Sequence, residues 1–179
     1  MKKIAILRGI NVGGKRKILM KDLKLVFEKL NFKDITSYIQ SGNIVFDSAE
    51  GLDNNLLELK IKKAILDNFG FDVPVIIRTQ KEINEIIAEN PFLQNDVDIS
   101  HLHLTFLNKI PEEQNLKLIS KMNFSPDRFL INGKNIYIYC EGKYHKSKLT
   151  NNFFEKKLKV TATTRNWKTV LKLSELSNL

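Results

Sequence analysis

The stretch YIQSGNIVF, residues 38–46, is the strongest indication of the fold, because it joins two strand-like runs through the pair Ser41-Gly42. Glycine supplies the positive φ that a tight hairpin turn requires, so the stretch predicts a β-hairpin. A second stretch, FLINGKNIY at residues 129–137, repeats the pattern with Asn132-Gly133 at its turn. Two similar hairpins, one in each half of the chain, predict that one structural unit occurs twice.

The flanking segments extend each hairpin into a larger unit. Around the first hairpin, hydrophobic periodicity predicts strand 3–7, a helix with the apolar face Leu23, Val26, Phe27 and Leu30, strands 35–40 and 43–46, helix 52–69 ending at Gly70, and strand 73–78 with Pro74 at a sheet edge. The later segments predict helix 81–89, strand 101–107, helix 112–122, strands 128–131 and 135–140, and helices 150–157 and 166–176. The order β-α-β-β-α-β is that of the split βαβ motif. The sequence therefore predicts an α+β fold of two ferredoxin-like units packed together, residues 1–79 and 80–179.

Composition indicates an ordinary globular protein. Its 179 residues are 42% hydrophobic and 27% charged, enough for a substantial core. The single cysteine, Cys140, cannot form an internal disulfide, and it follows a strand-like run that favours a structural role. The apolar run 4–7 is too short for an export signal, and no stretch is long enough to span a membrane. We therefore expect a cytoplasmic protein without membrane association.

The net charge of +9 is unevenly distributed. Residues 1–33 and residues 134–172 each hold ten Lys or Arg against two Asp or Glu, whereas residues 34–133 carry a net charge of −6. Two basic blocks around an acidic middle favour a positive surface for an anionic partner. The alternative is that these lysines are only the solvated faces of helices.

One loop and one turn are predicted to meet in space. In a split βαβ unit the first two strands run parallel with the third inserted between them, so the loop after strand one and the turn between strands two and three share one end of the sheet. This places two sets of residues close together: Arg8, Asn11, Gly13 and Gly14 from the loop, and Gln40, Ser41, Gly42 and Asn43 from the turn.

These residue types suit ligand binding. Amide and hydroxyl groups donate and accept hydrogen bonds but provide no strong acid or base at neutral pH. Residues 9–16, GINVGGKR, differ from the phosphate-binding pattern G-x-x-x-x-G-K-[ST] only in Arg16, which cannot hold Mg²⁺ as a hydroxyl does. A looser anion-binding loop, built from backbone N–H groups with Arg8 or Lys15, is compatible with the sequence. Alternatively, the glycines only turn the chain and the polar side chains bond to nearby backbone.

Two later segments add cations and hydroxyl groups, through Ser147, Lys148, Thr163, Arg165 and Asn166. Thr164 is predicted to cap the last helix, whose N-terminus beside an arginine would attract an anion, although capping alone would also explain these residues. The pair His101 and His103 lacks a third metal ligand with suitable spacing, so no metal site and no cofactor are predicted. The alternating tyrosines at 137 and 139 could stack nucleic-acid bases if exposed, but buried tyrosines are the simpler interpretation.

The chain resembles a bacterial family known as domain of unknown function 1697. The resemblance rests on four segments in one order, LRGINVGGK at 7–15, YIQSGNIVF at 38–46, SKLT at 147–150 and TATTRNWKTVLKL at 161–173. It implies a two-part ferredoxin-like fold in a cytoplasmic bacterial protein, and it implies no activity.

The resulting hypothesis is a protein that binds a phosphate-bearing anion, nucleotide or nucleic acid, in a cleft shared by both halves. Arg8, Lys148 and Arg165 would neutralise charge, while Asn11, Gln40, Ser41, Asn43 and Asn166 would orient the ligand. One alternative is a metal-independent enzyme acting on a phosphorylated small molecule, and another is a non-catalytic protein-interaction module. The sequence leaves the oligomeric state open.

Overall fold

A computed structural model describes residues 1–93 and 96–179 of the chain. The chain forms two compact units. The first contains Met1–Glu85 and Lys172–Leu179, and the second contains Ile86–Leu171. The first unit therefore takes eight residues from the far end of the chain, which a linear division at residue 79 assigns to the second.

The first unit is built around a four-stranded antiparallel sheet. Its elements are β1 (Lys2–Leu7), α1 (Met20–Lys29), β2 (Lys33–Tyr38), β3 (Asn43–Asp47), α2 (Asn54–Phe69), β4 (Val75–Thr79) and the start of α3 (Gln80–Ala88). The strand order is β2-β3-β1-β4, so the inserted third strand lies between β1 and β2 as predicted. Because β3 is antiparallel to both neighbours, the end of β1 and the start of β3 meet at one edge.

The apolar periodicity explains how this unit packs. Helix α1 buries Leu23 and Phe27, and α2 buries Leu57, Ile61 and Ile65, against one face of the sheet. The Asp53 carboxylate accepts from the Leu56 N–H at the start of α2, and Gly70 ends that helix with a left-handed φ of 73°.

The second unit repeats the sheet. Its elements are β5 (Leu102–Leu107), α4 (Glu113–Ser120), β6 (Arg128–Asn132), β7 (Asn135–Tyr139), α5 (Asn151–Leu158), β8 (Ala162–Asn166) and the start of α6 (Trp167–Ser177), with 3₁₀ turns at Ile99–His101 and Tyr144–Lys146. The strand order β6-β7-β5-β8 is equivalent to that of the first sheet. The predicted α+β fold with two ferredoxin-like units is confirmed.

Strand β8 is an element that hydrophobic periodicity missed. Its sequence, ATTRN, carries little apolar character, yet Thr163 and Arg165 are buried. The hydroxyls of Thr164 and Thr105 on β5 are 2.6 Å apart, and Thr164 also donates to Asn151 Oδ1 at 2.7 Å. Cross-strand bonds between polar side chains thus stabilise a buried edge strand that hydropathy alone does not reveal.

The two units match in detail. The Leu7 N–H donates to the Gly42 carbonyl at 2.8 Å, and the Leu107 N–H donates to the Lys134 carbonyl at 2.9 Å. A buried arginine occupies the corresponding edge strand of each sheet, Arg78 opposite Ile4 and Arg165 opposite Leu104. Within the two described stretches of chain, no helix is both long and apolar enough to cross a membrane.

Candidate functional site

Asn11 fixes the loop after β1 to the turn between β2 and β3. Its Nδ2 donates to the Ile18 and Gln40 carbonyls, each at 2.9 Å, and its Oδ1 accepts from the Ile18 N–H at 2.9 Å. Asn11 adopts a left-handed φ of 56°, which asparagine tolerates better than most residues. The predicted meeting of loop and turn is confirmed, and Asn11 itself holds the two together.

The loop tip is a two-residue hairpin. Val12 and Lys15 form an isolated antiparallel bridge, with Gly13 at φ 58° and Gly14 at φ 74° between them. Two successive positive φ angles are the requirement of a type I′ turn, and glycine meets it without strain. The tip is exposed, so its glycines both turn the chain and leave its backbone accessible.

The turn that faces this loop is held by its own side chains. Asn43 is buried, and its Nδ2 donates to the Tyr38 carbonyl and to Ser41 Oγ, both at 3.0 Å. Gly42 lies so close to the loop that an added Cβ would stand 2.8 Å from both Ile10 Cδ1 and Leu7 Cβ. By contrast, Gln40 is exposed at the surface. Asn43 and Gly42 shape this junction, whereas the Gln40 side chain is accessible to a ligand.

A pocket of about 260 Å³ opens where loop and turn meet. It is lined by Asn11, Gly14, Lys17, Ile18, Leu19 and Gln40. Ile18 is buried and Leu19 is exposed, so the lining combines apolar side chains with the polar Asn11, Lys17 and Gln40.

The loop beside this pocket carries three consecutive cations, of which Lys17 lines the pocket. Lys15, Arg16 and Lys17 follow one another along the loop, and the first carboxylate in the sequence is Asp22. Among the residues that the structure describes, these three cations form no ion pair with a carboxylate. Arg8, at the end of β1, is half-buried. Arg16 and Lys17 were not among the predicted site residues, although the run of three cations without a nearby acid is visible in the sequence.

Of the predicted residues in the second unit, Ser147 is part of an internal network. Its hydroxyl donates to Asp127 Oδ2 at 2.6 Å and accepts from the Leu149 N–H at 3.1 Å. Lys148 is exposed. The predicted cleft shared by both halves stays a prediction.

Thr163, Arg165 and Asn166 lie on β8 or at its end. Arg165 is 8% exposed, and its Nη1 donates to Thr163 Oγ1 and the Thr164 carbonyl, both at 2.9 Å. Burial lowers the pKa of Arg165 to about 10. At the start of α6, Asn166 Oδ1 accepts from the Thr169 N–H at 2.8 Å, so the cap is Asn166 and the expected cap at Thr164 was wrong. The assignment of these residues to a ligand site stays a prediction.

The other candidate groups occupy structural positions. His101 Nδ1 lies 2.6 Å from the Cys140 carbonyl oxygen, and the His103 ring stacks on Tyr144 with centroids 4.4 Å apart. Burial raises the pKa of the Cys140 thiol to about 11, which makes it a poor nucleophile. Of the two tyrosines, Tyr137 is buried and its hydroxyl donates to the Ile86 carbonyl at 3.2 Å, whereas Tyr139 is half-buried and stacks on the His101 ring. In the described parts of the chain, no cluster of three His, Cys, Asp or Glu residues could hold a metal ion.

Comparison with known proteins identifies a family and a fold. The model of a family described as protein of unknown function, DUF1697, matches residues 1–137. Among solved structures, the chain is similar to a conserved bacterial protein from Streptococcus pneumoniae, with 22% identity over 98% of each chain and a TM-score of 0.74. At this identity the similarity shows the fold alone. No curated protein matches the chain.

Proposed function

Since the chain belongs to this family of proteins of unknown function, its chemistry has to be inferred from the site, and we propose that the loop at 8–19 binds a phosphate-bearing anion. One observation carries the proposal. Lys15, Arg16 and Lys17 have no carboxylate partner in the described structure, and Lys17 lines the pocket at which Asn11 joins the loop to the turn at Gln40.

The backbone of the loop supports an anionic ligand. Five residues between 9 and 16 have positive φ, namely Gly9, Asn11, Gly13, Gly14 and Arg16. Alternation between left-handed and right-handed backbone turns successive N–H groups toward one point, which is the geometry of anion-binding nests. The N–H groups of Asn11 and Lys15 already donate to the Arg16 and Val12 carbonyls, so the exposed tip at Gly13 and Gly14 is the part of the backbone that would meet an anion.

The lining of the pocket favours binding over proton transfer. None of its six lining residues carries a carboxylate, an imidazole or a thiol. Lys17 would supply charge to a phosphate, and the Gln40 amide would hydrogen-bond an adjoining hydroxyl or base. The volume of about 260 Å³ is near the lower end of ligand pockets, which suits a phosphate with part of a sugar.

A thermal-shift series tests the proposal. Phosphate, nucleoside monophosphates and triphosphates, and phosphorylated sugars are added to the protein, and a ligand that binds the native state raises the melting temperature. At a concentration 100 times Kd, the stabilisation is about 2.7 kcal/mol. We expect Lys17→Ala to remove most of that shift, because it deletes the cation at the pocket while the bonds of Asn11 remain.

Lys29→Ala is the matched control. Lys29 is an exposed lysine of the same unit, at the end of α1, and its loss changes net charge equally. If Lys17→Ala and Lys29→Ala give the same ligand-induced shift, or if no phosphate compound stabilises the protein, the proposal is wrong.

Salt dependence separates a nucleotide from a nucleic acid. Binding of a single-stranded oligonucleotide, followed by fluorescence anisotropy, should weaken steeply between about 50 and 200 mM salt if several phosphates are contacted. A mononucleotide that contacts only the loop releases fewer counterions, so its affinity should fall far less over the same range. A shift with nucleotides and a shallow salt slope would assign the site to small ligands.

A further inference from the structure

A second cavity lies in the other unit, beside an open sheet edge. It has a volume of about 520 Å³ and lies between α4, the segment that follows α4, and strand β6. Most of its lining is apolar: Leu116, Ile119, Met122, Phe124, Phe129 and Ile131. Its size falls within the range of about 300–1,000 Å³ that is usual for ligand-binding cavities. The proposed anion site does not include any of these residues.

Strand β6 pairs on one side only. It is the terminal strand in the order β6-β7-β5-β8, and its described partner is β7. The direction of its backbone groups follows from the register. The Cys140 N–H donates to the His101 carbonyl at 2.9 Å, so even-numbered residues of β7 face β5 and odd-numbered ones face β6. The backbone of Tyr137 therefore hydrogen-bonds to that of Leu130. The N–H and C=O groups of the alternate residues Phe129 and Ile131 point away from β7, toward the open edge.

Edge and cavity therefore involve the same two residues. Phe129 and Ile131 direct their side chains into the lining of the cavity and their backbone groups toward the open edge. A peptide that adds to a sheet edge uses this combination, because main-chain bonds give affinity and pockets for alternate side chains give specificity.

A lysine beside the cavity provides a positive charge. Lys121 is exposed between two lining residues and has no carboxylate partner in the described structure. Arg128 stacks on the Tyr139 and Phe92 rings, 4.5 Å and 5.4 Å from them, and Tyr139 is its cross-strand partner, so this charge lies on the sheet face opposite Phe129 and Ile131. The lining carboxylate, Asp127, already accepts from Ser147 Oγ and from the Glu141 N–H. Lys121 is therefore available to pair with an acidic residue of a partner.

We propose that β6 is a docking edge for an extended peptide segment of a partner protein, with large apolar residues at alternate positions and an acidic residue beside them. The segment forms a fifth strand on this sheet. Its apolar side chains enter the cavity, and its acidic side chain pairs with Lys121.

Selection from a phage-displayed library of random dodecapeptides tests the partner chemistry. We expect enriched peptides to carry two large apolar residues two positions apart with a neighbouring Asp or Glu. Ser120 is an exposed lining residue at the end of α4, so Ser120→Trp fills the cavity with little effect on the core. Peptides that bind this variant as well as the original chain, or the absence of enriched peptides, would overturn the proposal.

Synthetic versions of a selected peptide test the pairing. N-methylation of residues whose N–H faces β6 should weaken binding about tenfold or more, whereas methylation of the intervening residues should not. Lys121→Glu should weaken binding severalfold, and Lys109→Glu, an equal charge change at an exposed lysine away from the cavity lining, should leave it unchanged. If methylation weakens binding equally at both sets of positions, or if Lys121→Glu and Lys109→Glu have equal effects, strand addition at this edge is contradicted.

The alternative occupant of the β6 edge is a second copy of the chain. Sedimentation velocity over a range of protein concentrations should show no dimer that depends on this edge. A dimer that dissociates in the Ser120→Trp variant would assign the edge to self-association and refute the peptide proposal.

Discussion

Substituting Gly42 by alanine should destabilise the first unit by more than backbone strain alone explains. Gly42 has φ +81°, a conformation that costs an L-residue about 1–2 kcal/mol. The added Cβ would also stand 2.8 Å from Leu7 Cβ and from Ile10 Cδ1, both in buried residues. Overpacking of this kind costs about 1–3 kcal/mol. The expected loss in the free energy of unfolding is therefore about 2–5 kcal/mol.

Gly51→Ala is the control for the backbone contribution. Gly51 lies in the same unit at φ +75°, and a Cβ added there meets nothing within 4 Å. Its substitution should cost only the about 1–2 kcal/mol of backbone strain. Urea unfolding of both variants, extrapolated to water, isolates the steric contribution as the difference between them. Equal destabilisation of the two variants would refute the close approach between turn and loop.

Three further predictions concern the loop, a histidine and the cysteine. Asn11→Gly keeps the left-handed backbone accessible but removes three side-chain hydrogen bonds, so urea unfolding should show a loss of about 2–4 kcal/mol, and wild-type stability would contradict the role of Asn11 as the link. Burial lowers the pKa of His103 below its ordinary 6.5, so the unfolded chain binds the proton more readily and stability should fall as pH drops below about 6.5. His103→Gln should flatten that pH dependence and the exposed His145→Gln should not, and parallel stability curves for the two variants would exclude His103 as the cause. Cys140 should react with a thiol-specific disulfide reagent at pH 8 only after unfolding, and rapid reaction of the native protein would show that its burial is wrong.

The fold was largely predictable because its strongest local signals agree. The hairpins at Ser41-Gly42 and Asn132-Gly133 could be predicted from the glycine at each turn and the apolar runs beside it. The end of α2 could be predicted from Gly70, which adopts the left-handed conformation of a helix cap. Strand β8 was not predictable in this way. Its burial depends on hydroxyl pairs such as Thr105 with Thr164, and such a pairing exists only after the sheet has formed.

The candidate site was predictable in place but not in the roles of its residues. Sheet topology alone brings the loop to the turn, and the structure confirms that meeting through Asn11. The same side-chain chemistry that suits a ligand also suits internal bonds, so sequence could not show that Asn43 is directed to the Tyr38 carbonyl while Gln40 is exposed. Burial distinguishes the two, and burial is a property of the assembled unit.

The residues at 172–179 have a consequence for biosynthesis. They belong to the first unit, where Ser174 Oγ donates to Asn84 Oδ1 at 2.7 Å. When synthesis has reached Glu85, the first unit still lacks the residues at 172–179. It can be completed only after α6 has been synthesised. Of the two units, the first is the one whose last residues are synthesised later.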